Sequence, residues 1–246
     1  MALREELEAS GNWLFRHRSY LPLILLVLVF AALRDFRYPY DSHVLDMWWE
    51  VVCLSVASIG IAIRVATIGF TPAGTSGRNT HGQVAETLNT TGLYSVVRHP
   101  LYLGNYFMWL GPALFPRSLT VAVVVTLIFW LYYERIMLAE EEFLRRRFGE
   151  VYERWAASTP AFIPRLSSWR RPSLPFSPRN VLRREYSGVF GVVATFTAME
   201  ILSDVAATGH FELDWMWGAL FGSSLLMYIV LRTLKRSTSL LNVEGR

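Results

Sequence analysis

The stretch GLYSVVRHPLYLG, residues 92–104, places a cation and an imidazole directly before an apolar segment. Arg98 and His99 precede Pro100, and proline is common in the first turn of a helix, so both side chains are predicted at a helix N-terminus. The positive end of the helix dipole, together with an Arg and a His, favours an anionic group such as a carboxylate. This stretch therefore predicts an anion-binding position at the edge of an apolar helix.

A second polar stretch, ERIMLAEEEFLRRRFGEVYERW, starts at Glu134 and also borders an apolar segment. Its strong helix formers predict that the preceding helix continues as an amphipathic helix, with a break at Gly149. On its own, such a run of charges is typical of a solvated helix face. Ionisable groups at the edge of a bilayer, however, mark a functional site by default, and the two stretches together favour that interpretation.

The composition indicates the setting of both stretches. Of the 246 residues, 52% are hydrophobic and 18% are charged, and the mean hydropathy is +0.29. Ordinary globular domains have about 45–50% apolar and about 25% charged residues, so an integral membrane protein is predicted. The net charge of +4 indicates a membrane-surface bias, because no basic patch with interleaved aromatic residues points to a nucleic-acid partner.

The apolar runs predict an all-α, polytopic membrane protein with about six transmembrane helices, including a helical hairpin. The hairpin is expected to turn at GPALFPRS, where Gly and Pro residues break the helix and Ser118 can cap the next one. A spanning helix needs roughly 20 apolar residues, so the shorter runs require tilt or the hairpin to cross. The six runs cover residues 20–33, 47–63, 101–115, 119–133, 186–207 and 213–231.

The positive-inside rule gives the predicted orientation. With the N-terminus inside, 21 of the 24 Lys and Arg residues fall in inner segments, and the other three are Arg34, Arg37 and Arg117. Both termini and an amphipathic helical cofactor site are then predicted on the cytoplasmic side. Because the ends of antiparallel helices lie together, His99 and Glu141 are predicted to meet there.

No metal site is predicted. The single Cys53 excludes an intramolecular disulfide and disfavours a structural zinc site. Glu200 and Asp204, four residues apart in the fifth apolar run, are interpreted as a snorkelling or interhelix polar pair rather than a proton relay. The remaining histidines are scattered and make no ligand set: His17, His43, His81 and His210.

The ordered motifs RHPLYLG, EEEFL, FGEVY and TPAFIP, with a hairpin after the first, resemble the isoprenylcysteine carboxyl methyltransferase family and its phospholipid methyltransferase relatives. Members are integral membrane enzymes that use S-adenosylmethionine without the soluble Rossmann fold, and the resemblance implies the same here. It implies that Gly104 lets the backbone approach the cofactor closely and that Phe162 and Pro164 cover the adenine. The residues expected in the cofactor pocket are Arg98, His99, Tyr102, Gly104, Glu141, Phe162 and Pro164.

Two residues are candidates for catalysis, which for methyl transfer means aligning the acceptor and excluding water. Arg135 is predicted to position an anionic acceptor, with Glu140 orienting that Arg or the acceptor. An amine acceptor would instead use Glu140 as a base, and the sequence does not choose between the two.

The predicted function is methyl transfer from S-adenosylmethionine to a lipid or lipid-linked carboxylate, phosphate or amine. The alternatives are an NADPH-dependent lipid or sterol-type reductase that shares the hairpin, and a non-catalytic membrane protein.

Four segments are predicted along the chain. Residues 1–91 form a two-helix membrane region with a polar loop, and residues 92–165 form the methyltransferase core. Residues 166–185 form a linker on the membrane surface, and residues 186–246 form a two-helix membrane extension. The extension is a candidate for a lateral lipid opening or for a homodimer contact.

Overall fold

The computed structural model describes residues 2–75 and 83–246, and within these ranges the regular elements are helical. This agrees with the predicted all-α class. Short 3-10 turns, such as Leu21–Leu23, connect some of the helices. The α-helices are α1 (Leu3–His17), α2 (Ile24–Ala32), α3 (His43–Ile68), α4 (Pro100–Leu114), α5 (Leu119–Phe148), α6 (Glu150–Ser158), α7 (Pro178–Thr208) and α8 (Trp215–Ser237).

Four of these helices, α3, α5, α7 and α8, are long and apolar enough to cross a membrane. A fifth crossing is counted if α1 and the segment Leu21–Ala32, which are bent by 79° relative to each other, form one span. Helix α4 has 15 residues, fewer than the roughly 17–25 that a span requires. Length and hydropathy therefore identify four or five transmembrane helices, and the sixth transmembrane helix expected from the sequence stays a prediction.

The α4–α5 hairpin and its continuation follow the predicted pattern. Ser118 caps α5, because its hydroxyl accepts a hydrogen bond from the Val121 N–H at 3.4 Å. Helix α5 then runs unbroken to Phe148 and ends at Gly149, whose φ of 53° suits a residue without a Cβ. The predicted linker is shorter than expected, since α7 already begins at Pro178.

Both chain ends lie at the end of the bundle where α3 and α5 finish and α4 and α7 begin. The Gly245 carbonyl accepts a hydrogen bond from the Ala73 N–H, just after α3, at 2.8 Å. At the other terminus, Arg4 of α1 pairs with Glu142, near the end of α5, at 2.5 Å. We call this the cavity end, because the cavity described below opens there.

Helices α3 and α4 cross with their backbones in direct contact. A Cβ added to Gly60 would lie 2.4 Å from the Gly104 carbonyl oxygen, and one added to Gly111 would lie 2.6 Å from the Cys53 carbonyl oxygen. Small residues allow such close helix packing in membranes. Gly104 therefore permits a close approach of α4 to α3, and the approach to a cofactor that the resemblance implied stays a prediction.

The opposite end of the bundle holds several buried acidic groups. Asp204 accepts a hydrogen bond from the hydroxyl of Tyr38, which lies in the connection between α2 and α3, at 2.7 Å. The structure corrects the interpretation of His43 as a histidine without neighbouring ligands. Its Nε2 lies 3.7 Å from an Asp214 carboxylate oxygen, and its donor atom also lies near that of Glu200. Folding thus brings together donors that are far apart in the sequence. Of the other histidines, His81 lies outside the described residues.

The α3–α4 crossing gives a stability prediction. Gly60→Ala should lower the free energy of unfolding by about 1–3 kcal/mol, because the new methyl group meets backbone atoms that cannot turn away. The matched control is Gly191→Ala in α7, where an added Cβ meets nothing within 4 Å. Thermal unfolding in detergent measures both variants, and equal midpoints for the two would contradict the packing argument.

Candidate active site

The backbone around His99 is held by the segment that contains the TPAFIP motif. The N–H groups of Arg98 and His99 donate to the carbonyls of Pro160 and Ala161 at 2.8 and 3.3 Å. The Val96 carbonyl accepts a hydrogen bond from the Arg165 N–H at 2.9 Å. His99 is then the N-cap of α4, with Pro100 in the first turn as predicted. These hydrogen bonds fix the direction in which the imidazole leaves the backbone.

The imidazole of His99 lies between two carboxylates of α5. Its Nε2 is 2.9 Å from Glu141 Oε1 and its Nδ1 is 3.6 Å from Glu140 Oε2. Burial lowers the pKa of His99, but hydrogen bonds and charge from Glu140 and Glu141 outweigh it, so the pKa lies above its ordinary value. The two polar stretches of the sequence therefore meet, as predicted, through the imidazole of His99, whose protonated form the two glutamates favour.

Glu141 holds two cations rather than facing open space. Besides His99, it pairs with the guanidinium of Arg98, whose Nε is 3.2 Å from Glu141 Oε1. Arg98 also donates to the Ala156 carbonyl at 3.4 Å. Burial and the nearby Glu141 raise the pKa of Tyr152, which lies below this cluster in α6. Glu141 therefore positions the residues around it.

A cavity of about 630 Å³ opens beside this cluster. Its volume lies within the range of about 300–1,000 Å³ that is typical of small-molecule sites. Of the residues proposed from the sequence, Arg98, His99, Tyr102 and Glu140 line it. Tyr102 lies over the imidazole with ring centroids 5.6 Å apart, and it continues the aromatic wall toward Tyr133.

A chain of hydrogen bonds that the sequence interpretation missed forms another part of the cavity wall. Arg64 of α3 binds both carboxylate oxygens of Glu185 in α7 at 2.7 Å and donates to Asn105 of α4 at 2.6 Å. Asn105 donates in turn to the Tyr133 hydroxyl at 3.1 Å. Arg64 and Asn105 lie next to or within apolar runs, where a polar residue is expensive unless it has a function. That signal could have identified them.

Other predicted site residues lie away from the cavity. Arg135 is exposed and does not line the cavity, so the structure does not bring it to Glu140 there. Phe162 packs into the hairpin, with its ring centroid 4.1 Å from that of Trp130, and Pro164 is exposed. Neither lines the cavity, so their expected place over the adenine stays a prediction, and the contact of the motif with the site is made by the backbone hydrogen bonds described above.

Comparison with known proteins gives one family and several relatives. The family model described as phospholipid methyltransferase matches residues 50–151, which include His99, Glu140 and Glu141. The nickel-cobalt-cadmium resistance protein of Alcaligenes xylosoxydans is 34% identical, over 66% of this chain and 71% of its own. The cobalt-zinc-cadmium resistance protein of Cupriavidus metallidurans is 35% identical, over 67% of this chain and 72% of its own.

A methyltransferase of known reaction is similar over a shorter region. The protein-S-isoprenylcysteine O-methyltransferase of Schizosaccharomyces pombe is 33% identical, over 31% of this chain and 33% of its own. No solved structure matches the chain.

The raised pKa of His99 predicts a pH dependence of stability. Its imidazolium stabilises the fold fully below the unfolded pKa of about 6.5, and this contribution is lost as the pH rises through the higher folded pKa. We expect the unfolding midpoint of the wild type, relative to His99→Gln, to fall as the pH rises above about 6.5. A difference that stays constant from neutral to alkaline pH would contradict a charged imidazole between the two glutamates.

Proposed function

Because this chain belongs to the isoprenylcysteine carboxyl methyltransferase and phospholipid methyltransferase family and is a methyltransferase, we propose that it methylates a lipid or lipid-linked acceptor with S-adenosylmethionine. The observation that carries the proposal is the cavity of about 630 Å³ in which His99 and Glu140, from the two polar stretches, lie side by side.

The cavity residues fit the chemistry of S-adenosylmethionine. This cofactor has a carboxylate and an ammonium at one end, a sulfonium in the middle, and a ribose with adenine at the other end. Arg98 and His99 would hold the carboxylate, and Glu140 would hold the ammonium or the ribose hydroxyls. The rings of Tyr102 and Tyr133 offer faces that attract a sulfonium cation.

When bound, S-adenosylmethionine would supply a methyl group on a good leaving group, so the protein mainly has to align the acceptor and exclude water. Glu140 is suited to this because its side chain lines the cavity and is 32% exposed. It would orient the head group of the acceptor, or accept a proton from an amine. Arg64, fixed by Glu185 and Asn105, would take the positioning role that the sequence suggested for Arg135.

The charges on the cavity wall favour an anionic acceptor. Among the described residues, four arginines line the cavity but only two glutamates do so, and a positive surface attracts a carboxylate or a phosphate. These residues are Arg18, Arg64, Arg98, Arg184, Glu140 and Glu185. Two of them belong to α7, so we propose that this helix, which continues into the C-terminal extension, shapes the acceptor end of the cavity. A homodimer through α7 and α8 stays a prediction.

We also propose six crossings, with the cavity on the cytoplasmic side. Contacts at the far end support the crossing of Leu21–Ala32, since Phe36, which follows it, stacks on Phe115 at the hairpin turn with centroids 6.4 Å apart. Helix α4 would cross with α5 as a hairpin. The cytoplasmic assignment is supported by the 21 basic residues that the topology gathers on the side of the two termini.

The names of two relatives favour a second candidate function, participation in resistance to divalent metals. The observation that supports it is the group formed by His43, Glu200 and Asp214 at the far end. We expect a deletion strain to grow less well in elevated cobalt or zinc and to be rescued by the wild-type gene. Equal growth of the deleted and rescued strains at all metal concentrations would exclude this role.

The methyltransferase proposal is tested on the full chain purified in detergent. Calorimetry should detect binding of S-adenosylhomocysteine and no binding of NADPH; the reverse result would favour the reductase alternative. Transfer of labelled methyl to lipid extracts should fall about 100-fold or more in His99→Ala and in Glu140→Gln, because each removes a group that binds or orients a reactant.

Two arginine variants complete this experiment. Arg147→Ala is the control, since Arg147 is exposed on the same helix and does not line the cavity. Arg135→Ala should also keep its turnover if the cavity is the active site. A loss of turnover in Arg135→Ala as large as that in Glu140→Gln would favour the role assigned from the sequence and would count against the cavity.

A further inference from the structure

Three donor side chains converge at the end of the bundle remote from the cavity. His43 is the first residue of α3, Glu200 lies in α7 about two turns before its end, and Asp214 is the N-cap of α8. One donor atom of each lies within 4.8 Å of the donor atoms of the other two. Three separate elements therefore bring an imidazole and two carboxylates to one place.

Glu200 is the member of this group that requires an explanation. Its side chain is buried, with 1% of its surface exposed, and its Oε2 has no hydrogen-bond partner within residues 2–75 and 83–246. Burying a carboxylate oxygen without a partner costs several kcal/mol, so such a group normally holds a proton or a cation. Here the Glu200 carboxylate is close to the donor atoms of His43 and Asp214.

The surroundings of Glu200 are rich in further carboxylates. Glu50 accepts a hydrogen bond from Trp217 at 3.1 Å, and Asp204 accepts one from Tyr38 at 2.7 Å, but both of these donors are neutral. Asp46 is paired with Arg117. In the described part of the chain, Arg117 is the single Arg or Lys that forms an ion pair with any of these carboxylates. The site therefore gathers more carboxyl groups than cations around the buried Glu200, an arrangement that favours a bound cation or bound protons.

We propose that His43, Glu200 and Asp214 bind a divalent transition-metal ion. One imidazole nitrogen and two carboxylate oxygens suit zinc, cobalt or nickel, whereas calcium and magnesium prefer oxygen ligands alone. Three protein ligands leave at least one position for water. The inference is independent of methyl transfer, and it deepens the second candidate function by naming the ligands and the class of ion; the site itself does not require a role in metal resistance.

Binding requires a small contraction of the group. Tetrahedral ligands about 2.1 Å from a metal are about 3.4 Å apart, so donor atoms that lie within 4.8 Å of one another have to approach by at most about 1.4 Å. His43 and Asp214 can provide this movement, since their side chains are 46% and 39% exposed. Glu200 is enclosed by the bundle and would be the fixed ligand.

The competing explanation is a proton shared by Glu50 and Glu200, whose side chains are within hydrogen-bonding reach of each other. A shared proton leaves no need for a metal. The two explanations differ in their response to Glu200→Gln, because an amide mimics the protonated acid but is a poor metal ligand.

The test is a titration of the chelator-stripped full chain in detergent with Co²⁺, whose visible absorption reports its ligands, followed by displacement with Zn²⁺. We expect about one ion per chain in the wild type. Binding should weaken at least about tenfold in His43→Ala, Glu200→Gln and Asp214→Asn. The matched controls are His210→Ala and Glu212→Gln, which remove an exposed imidazole and an exposed carboxylate from the loop before α8.

The readouts separate the possible failures. Absence of Co²⁺ binding by the wild type, or equal binding by the wild type and the three ligand variants, would overturn the site. Circular dichroism and thermal unfolding of each variant identify loss of fold, in which case His43→Gln and Asp214→Ser replace the failed variant. Binding of S-adenosylhomocysteine by the same samples tests the methyltransferase proposal independently of the metal.

Discussion

The contact of one buried imidazole with two adjacent carboxylates determines the geometry of the cavity. His99 begins α4, whereas Glu140 and Glu141 belong to the extension of α5, so this contact joins the two arms of the hairpin where they leave the apolar layer. A buried imidazolium without partners would lose its proton, and neighbouring glutamates without a cation would repel each other. Each group therefore stabilises the charge of the other, and the backbone around His99 is fixed by the segment that follows α6.

Much of this arrangement could be predicted from the sequence, because it depends on local signals. Proline in the first turn, the Ser118 cap and the break at Gly149 define the ends of α4 and α5, and antiparallel packing then brings His99 to Glu141. The helical period explains why Arg135 does not line the cavity together with Glu140. Arg135 and Glu140 are five residues apart, which turns their side chains about 140° from each other.

The missed residues depend on contacts that are distant in the chain. Glu185 meets Arg64 across 121 residues, and no periodicity or motif connects them. It was assigned to a surface linker because its neighbours are rich in Pro, Ser and Arg, but α7 begins before it. Gly104 shows a second reason why contacts are missed. A glycine in a helix indicates that another group approaches the backbone closely, but the sequence does not show whether that group is a helix or a ligand.

Polar contacts at both ends of α3 and α7 specify how these antiparallel helices align. Arg64 meets Glu185 at the cavity end, and Glu50 meets Glu200 at the far end. The two members on α3 are 14 residues apart and those on α7 are 15 apart, which correspond to about 21 and 22 Å of helix. A single alignment therefore satisfies both contacts, and a slip by one turn, about 5.4 Å, would break both.

Apolar side chains facing lipid or other apolar helices discriminate weakly between such alignments, because lipid tails solvate them equally well. The ionisable groups at the two ends therefore contribute specificity to the fold as well as chemistry to the sites. Moving either end of α7 along α3 would also displace the group at the other end. The cavity and the far cluster consequently share one rigid support, although neither contacts the other.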